Sequence, residues 1–257
     1  MTEFVCSDQD KLYRQAKMVV SRGFGIGRWN EKDNPAKSSA FKIFQQLANE
    51  NYGKAYYPLS CLFRESQDDI EGAQDRAQYF TQLAFDWCLA NQANQDAELW
   101  CDLGEMYYRG FGTPKDNVVS AKWYRLAADQ GHAGAQSALG AAYSLGHGVP
   151  QDYEEALRWQ RLAADQGCDI AQLSLGFDYH LGKCVPEDNV VAAKWYRLAA
   201  DQDLAEAQYY LGDLYKRGLG VPQDNEIAAK WLRLAAAQGY EDAQIALINL
   251  EKRIAPR

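Results

Sequence analysis

The chain has 257 residues, 27 of them basic and 35 acidic, for a net charge of −8. That balance argues against nucleic acid or an anionic membrane surface as partner, since both attract a basic field. No stretch reaches the roughly 20 apolar residues of a membrane span, and Met1 to Gln15 holds no apolar run longer than Phe4-Val5-Cys6, so the chain is expected to be cytoplasmic.

In chain order, the first pattern is Leu12, Ala16 and Val20, a helix stripe followed by Arg22-Gly23-Phe24-Gly25 and Asp33-Asn34. The same succession returns at Arg109-Gly110-Phe111-Gly112 and Asp116-Asn117, so it reads as a first, degraded repeat. Ala55, Leu59 and Phe63, then Ala77, Tyr79, Leu83 and Ala84, supply both helices of a second repeat. Extra residues around Arg64 to Gln74 and Cys88 to Asp96 are expected to be loops.

From Ala97 to Tyr240 the pattern becomes regular, with a period of 36 residues and four copies. Leu103-Gly104, Leu139-Gly140, Leu175-Gly176 and Leu211-Gly212 fall in step, as do Trp123, Trp159, Trp195 and Trp231. A fixed period of this size marks a solenoid, built by stacking and needing no single central core. Within one copy, Leu99, Leu103, Met106 and Tyr107 give an amphipathic helix ending near Arg109, and Gly110 to Pro114 break it. Asp116 then stands as N-cap of a second helix from Asn117 to about Gln130, and Gly131 ends that helix. A glycine inside each first helix is unfavourable by roughly 1 kcal/mol against alanine, so its return implies close backbone approach. The Trp and Ala-Ala columns of the second helices are expected to face it.

Beyond Tyr240, Ala243 and Leu247 begin one more helix, whose place is to cap the last repeat. The expected fold class is therefore all-α: about six helix hairpins and a capping helix. Residues 1–96 hold the degenerate repeats, 97–240 the four regular ones and 241–257 the cap and tail.

Trp100-x-x-Leu103-Gly104-x-x-Tyr107 resembles a tetratricopeptide helix pair lengthened by two residues. Gly146-His147-Gly148-Val149-Pro150-Gln151-Asp152, followed by Ala156, Trp159, Ala163-Ala164 and Gly167, is similar to the Sel-1-like repeat family, as is Gly218 to Asp224. The resemblance implies a right-handed α-solenoid serving as an adaptor or interaction scaffold. In that family some bacterial members are immunity partners of secreted toxins, others bind host proteins, and a cysteine-rich branch has been linked to penicillin binding. Cys184 and Asp203 depart from the pattern, each replacing a glycine, and the interhelical cysteine pairs of the cysteine-rich branch are missing. The six cysteines share no fixed place in the repeat and read as free thiols.

Local motifs are explained by the repeat. Gly23-Phe24-Gly25-Ile26-Gly27 follows a helix, whereas a phosphate-cradling loop follows a strand. Ser39 and Lys42 fit the Ser-x-x-Lys pattern of penicillin-recognising enzymes, without their Ser-Asp-Asn and Lys-Thr-Gly elements. Cys168, His180 and Cys184 lack the pair spacing of a closed zinc site. Arg125, Arg161 and Arg197 precede Asp129, Asp165 and Asp201 by four residues, which predicts charge pairing along a solvated outer face. No catalytic, cofactor or metal residue is assigned.

In a hairpin solenoid the first helices line the concave face, and their non-core positions carry recognition. The expected partner-binding residues are Glu105, Tyr108, Leu173, Phe177, His180, Tyr209, Asp213 and Lys216. Leu173, Phe177 and Tyr209 form an aromatic and apolar patch with charges at its rim, as in a protein-binding hot spot. The expected function is a non-enzymatic, monomeric interaction module that holds a protein or peptide, with an immunity or adaptor role and a secreted toxin or effector as the partner by family analogy. The alternative is a hydrolase acting on β-lactam or cell-wall substrates, for which Ser39 and Lys42 are the available groups.

Overall fold

The computed structural model describes residues 7–21, 35–65 and 72–254. The Gly23 to Gly27 loop, Asp33-Asn34, Cys6 and most of the first insertion lie outside the described residues. Among those described there are thirteen α-helices and no strand. They are α1 (Asp8–Ser21), α2 (Pro35–Asn49), α3 (Tyr56–Glu65), α4 (Ala73–Asn91), α5 (Ala97–Arg109), α6 (Asn117–Asp129) and α7 (Ala133–Leu145). Then come α8 (Tyr153–Asp165), α9 (Asp169–Leu181), α10 (Asn189–Ala200), α11 (Ala205–Arg217), α12 (Asn225–Ala237) and α13 (Glu241–Ile254). These are helix-hairpin repeats of the α-solenoid class.

The helices gather into two compact units. The described residues of the first lie within Met1–Ser21, Asp33–Ala135 and His147–Pro150, those of the second within Gln136–Gly146 and Gln151–Arg257. In the first unit α1 packs on α2, α3 on α4 and α5 on α6. In the second, α9 packs on both α8 and α10, and α11 on both α10 and α12, with α13 closing against α12.

Each regular hairpin is closed by the same polar contacts. Asp116, Asp152, Asp188 and Asp224 each cap a second helix, their carboxylates accepting from the two backbone N–H groups at the second and third positions beyond. The N–H of each cap residue in turn donates to a tyrosine carbonyl on the first helix: Tyr107, Tyr143, Tyr179 and Tyr215, at 2.8 to 3.0 Å. The repeat loop is thus fastened at both ends.

The glycine column does mark close approach, but its partner is the residue after each tryptophan. A Cβ added at Gly104 would lie 2.6 Å from the Tyr124 ring, and one at Gly176 2.4 Å from the Tyr196 ring. Gln160 and Leu232 fill the same place opposite Gly140 and Gly212. Adjacent helix positions differ by about 100° in direction, so Trp123, Trp195 and Trp231 are turned to half-buried sites while Ala127, Ala128, Ala163, Ala164, Ala199 and Ala200 are buried as expected.

Two further expectations are corrected. Cys88 to Asp96 is no loop: Cys88 to Asn91 continue α4, and a 3₁₀ turn occupies Gln92–Asn94. The longer helix carries Trp87 over Gly53, where an added Cβ would lie 2.1 Å from its indole nitrogen. Tyr79 is 61 % exposed and contributes nothing to the core of the second hairpin. Of the two residues that replace glycines, Asp203 keeps the glycine's left-handed backbone, at φ 66°, while Cys184 is not among the residues of positive φ. At Gly148 and Gly220, in the loop column of Cys184, an added Cβ would fall 2.0 and 2.1 Å from a carbonyl oxygen, so a cysteine can be seated there only in another backbone conformation.

Candidate partner-binding face

In the first unit α5 carries Glu98, Asp102 and Glu105, a strongly acidic and largely internally compensated row. Glu98 accepts from Tyr13 Oη at 3.0 Å and pairs with Lys17 Nζ at 2.9 Å, both from α1. Burial pulls the Glu98 carboxyl upward, but Lys17 and these hydrogen bonds prevail and hold it below the ordinary range. Glu105 pairs with Arg109 and accepts from Tyr124 Oη at 2.5 Å. Asp102 stands between them on the same helix with no hydrogen bond or ion pair among the described residues. Burial pushes its carboxyl up to about 7, only partly opposed by Lys17. Tyr108, 36 % exposed, turns to the loop side, with Lys115 Nζ 5.1 Å above its ring and His147 nearby.

In the second unit Phe177 of α9, Tyr196 of α10, Tyr209 and Tyr210 of α11, and Tyr240 just before α13 form a connected aromatic array. Phe177 meets Tyr210 edge-on at 4.6 Å and Tyr196 at 5.7 Å, and Tyr196 stacks on Tyr210 at 5.6 Å. Tyr209 touches Tyr210 at 5.0 Å and Tyr240 at 5.3 Å. Tyr196 is fully buried and its hydroxyl has no hydrogen-bond partner among the described residues. The repeat explains why. Tyr124, 72 residues earlier, donates to Glu105, and the residue in the Glu105 column here is Phe177.

The structure divides the expected binding set. Leu173 is 5 % exposed and belongs to the core around Tyr196, so it packs rather than presents itself. Phe177 is half-buried against the same core. His180 Nδ1 lies 2.5 Å from Asn189 Oδ1. Asp213 is held by Lys216 at 2.5 Å and Arg217 at 3.2 Å. Tyr209 retains part of its ring for contact. Asp102 and Tyr210, both outside the expected set, occupy one column of the repeat one residue beyond Cys101 and Tyr209, and each is half-buried within its own unit. The Cys101 column also holds the buried Ser137 and Leu173, whereas Tyr209 in the same column is half-buried, so the small and apolar types of the two middle repeats were the signal that those two pack inward.

The outer face is also wired differently from expectation. Among the described residues no ion pair joins Arg161 to Asp165 or Arg197 to Asp201. Arg161 donates to Tyr179 Oη at 2.8 Å and Arg197 to Tyr215 Oη at 3.0 Å, each 18 residues on, on the first helix of the following repeat. Arg197 also lies 4.9 Å over the Trp231 ring. Cys184 donates to Asp178 at 3.3 Å, the five described cysteines are free thiols, and among the described residues no three His, Cys, Asp or Glu side chains converge in a metal-holding group. Ser39 and Lys42 sit one turn apart on α2, and both are exposed. Among the described residues no helix is long and apolar enough to cross a membrane.

The Sel1 repeat model matches residues 101–132, 133–168, 169–204 and 205–240. A Sel1 repeat protein from Oxalobacter formigenes is 28 % identical, with 80 % of this chain and 86 % of that one covered at a TM-score of 0.62. A protective antigen of uropathogenic Escherichia coli with an SLR fold is also 28 % identical, at a TM-score of 0.61; the match covers 97 % of this chain and 53 % of the antigen, so this chain spans about half its length. An immunity protein from Pseudomonas aeruginosa shares the fold at 18 % identity, TM-score 0.57, with 91 % and 88 % covered. No curated protein sequence matches the chain.

Proposed function

Since the chain belongs to the Sel1 repeat family, we propose that it is a non-enzymatic interaction module holding a protein or peptide on its first-helix face, as an immunity or adaptor protein whose partner is a secreted toxin or effector. The observation that carries this reading is the partly exposed aromatic array around α11, in which Tyr209 and Tyr210, with Tyr240 just before α13, keep ring surface and hydroxyls with no partner among the described residues. Aromatic residues inside a polar rim are what protein-binding hot spots are made of. The immunity form has its precedent in the Pseudomonas aeruginosa protein of the same fold.

The test is a photo-crosslinking amino acid placed at Tyr209, and in parallel at Lys194 on α10, with capture from the native lysate and identification of the crosslinked protein. One protein crosslinked from position 209 and not from 194 is the expected result, and its identity separates toxin from other partners. Crosslinking from 194 alone would move recognition to the second helices. Silence at both positions would overturn the module reading.

A further inference from the structure

Four acidic side chains stand on α9 and α11, and three have partners. Asp169 accepts from the Ile170 N–H at 2.8 Å, Asp178 from the Cys184 thiol, and Asp213 holds Lys216 and Arg217. Glu206 is half-buried and has no hydrogen bond or ion pair among the described residues. On the helix it shares a face with Tyr209 and Tyr210, three and four residues on. Burial raises its carboxyl, with no cation to oppose the rise. Burial also raises the phenols of Tyr210 and Tyr240, and the largest charge acting on each is that of Glu206. Tyr196, stacked on Tyr210, has a hydroxyl with no hydrogen-bond partner among the described residues.

We propose that the patch of Glu206, Tyr209, Tyr210 and Tyr240 takes an arginine or lysine side chain of the partner segment, an inference that rests on the module reading above. An aromatic face attracts a cation within about 6 Å of its centroid, and a carboxylate beside it adds a charge-assisted hydrogen bond. The chain already uses the first contact internally, with Lys183 5.7 Å over Tyr153. The net charge of −8 draws a cationic segment to the protein. An acidic segment meets repulsion from Glu206, and a purely apolar one leaves that half-buried carboxylate without a counter-charge.

Panning a phage-displayed library of random dodecapeptides on the full chain, and on Glu206→Gln in parallel, tests this. The expected outcome is enrichment of peptides carrying arginine or lysine on the wild type. The best of these, made synthetically, should bind Glu206→Gln about 10-fold more weakly. Tyr209→Phe should keep their affinity and Tyr209→Leu should lose it, with circular dichroism showing all variants folded. Enrichment of apolar or acidic peptides, or cationic peptides bound equally by Glu206→Gln, would overturn the cation site and leave the module reading standing. No enrichment on the wild type would count against both.

Discussion

Replacing Gly176 by alanine sets two effects of known size against each other. Alanine inside a helix is favoured over glycine by about 1 kcal/mol. The new methyl, however, would lie 2.4 Å from two carbons of the Tyr196 ring. That ring is fully buried, stacked on Tyr210 and held edge-on by Phe177, so it cannot swing aside. Overpacking of this kind costs about 1–3 kcal/mol, and a ring fixed on both sides belongs at the upper end. The net expectation is a loss of about 2 kcal/mol, or a fall of roughly 4–8 °C in melting temperature at this chain length. Gly212→Ala is the control, because its nearest neighbours are the Leu232 side chain at 3.0 and 3.2 Å and a carbonyl at 3.3 Å. There the two effects should cancel to within about 0.5 kcal/mol. In a Tyr196→Leu background Gly176→Ala should become neutral, a coupling of about 2 kcal/mol in the double-mutant cycle. Thermal unfolding followed by circular dichroism reads the wild type and the four variants. A Gly176→Ala variant that melts at or above the wild type would refute the account of the glycine column.

Asp203 occupies the left-handed conformation taken at the same column by Gly131, Gly167 and Gly239, so Asp203→Gly should stabilise the protein by up to about 1 kcal/mol in urea unfolding. Cys184→Gly should bring no gain, since its φ is not positive. Asp102 has a folded pKa of about 7 against an unfolded value near 3.9, so the folded state keeps a proton the unfolded state has lost. Its contribution is most favourable below about pH 4 and is lost as the pH rises to about 7. Asp102→Asn should remove that slope and raise stability at pH 8 by about 2 kcal/mol, roughly half the full linkage value because the carboxyl keeps some water; parallel pH dependences of the two proteins would refute it.

The sequence carried the hairpins because period, glycine, loop and cap columns all agreed, and Asp116, Asp152, Asp188 and Asp224 cap where their position predicts. What it did not carry was rotation about each helix axis. Trp123 and Tyr124 are both large and aromatic, and only packing decides which one meets Gly104. The same one-residue ambiguity put Leu173 among the expected binding residues, although it is buried in the core around Tyr196, and passed over the half-buried Tyr210. Nor could local spacing reveal the partners of Arg161 and Arg197. Their tyrosines are 18 residues away, brought close by stacking, whereas the aspartates four residues on were visible along one helix.

Within the second unit a row of amides runs through the stack. Gln166, Gln202 and Gln238 donate to the buried Gln136, Gln172 and Gln208 at 2.7 to 2.9 Å, and Gln172 and Gln208 donate onward to alanine carbonyls of the preceding repeat. None of these groups ionises between pH 2 and 12, and hydrogen bonds between neutral amides are barely screened by salt. The register between neighbouring repeats is therefore insulated from acidity and ionic strength. Charges on the first helices of this unit can be exchanged for new partners without loosening that amide seam.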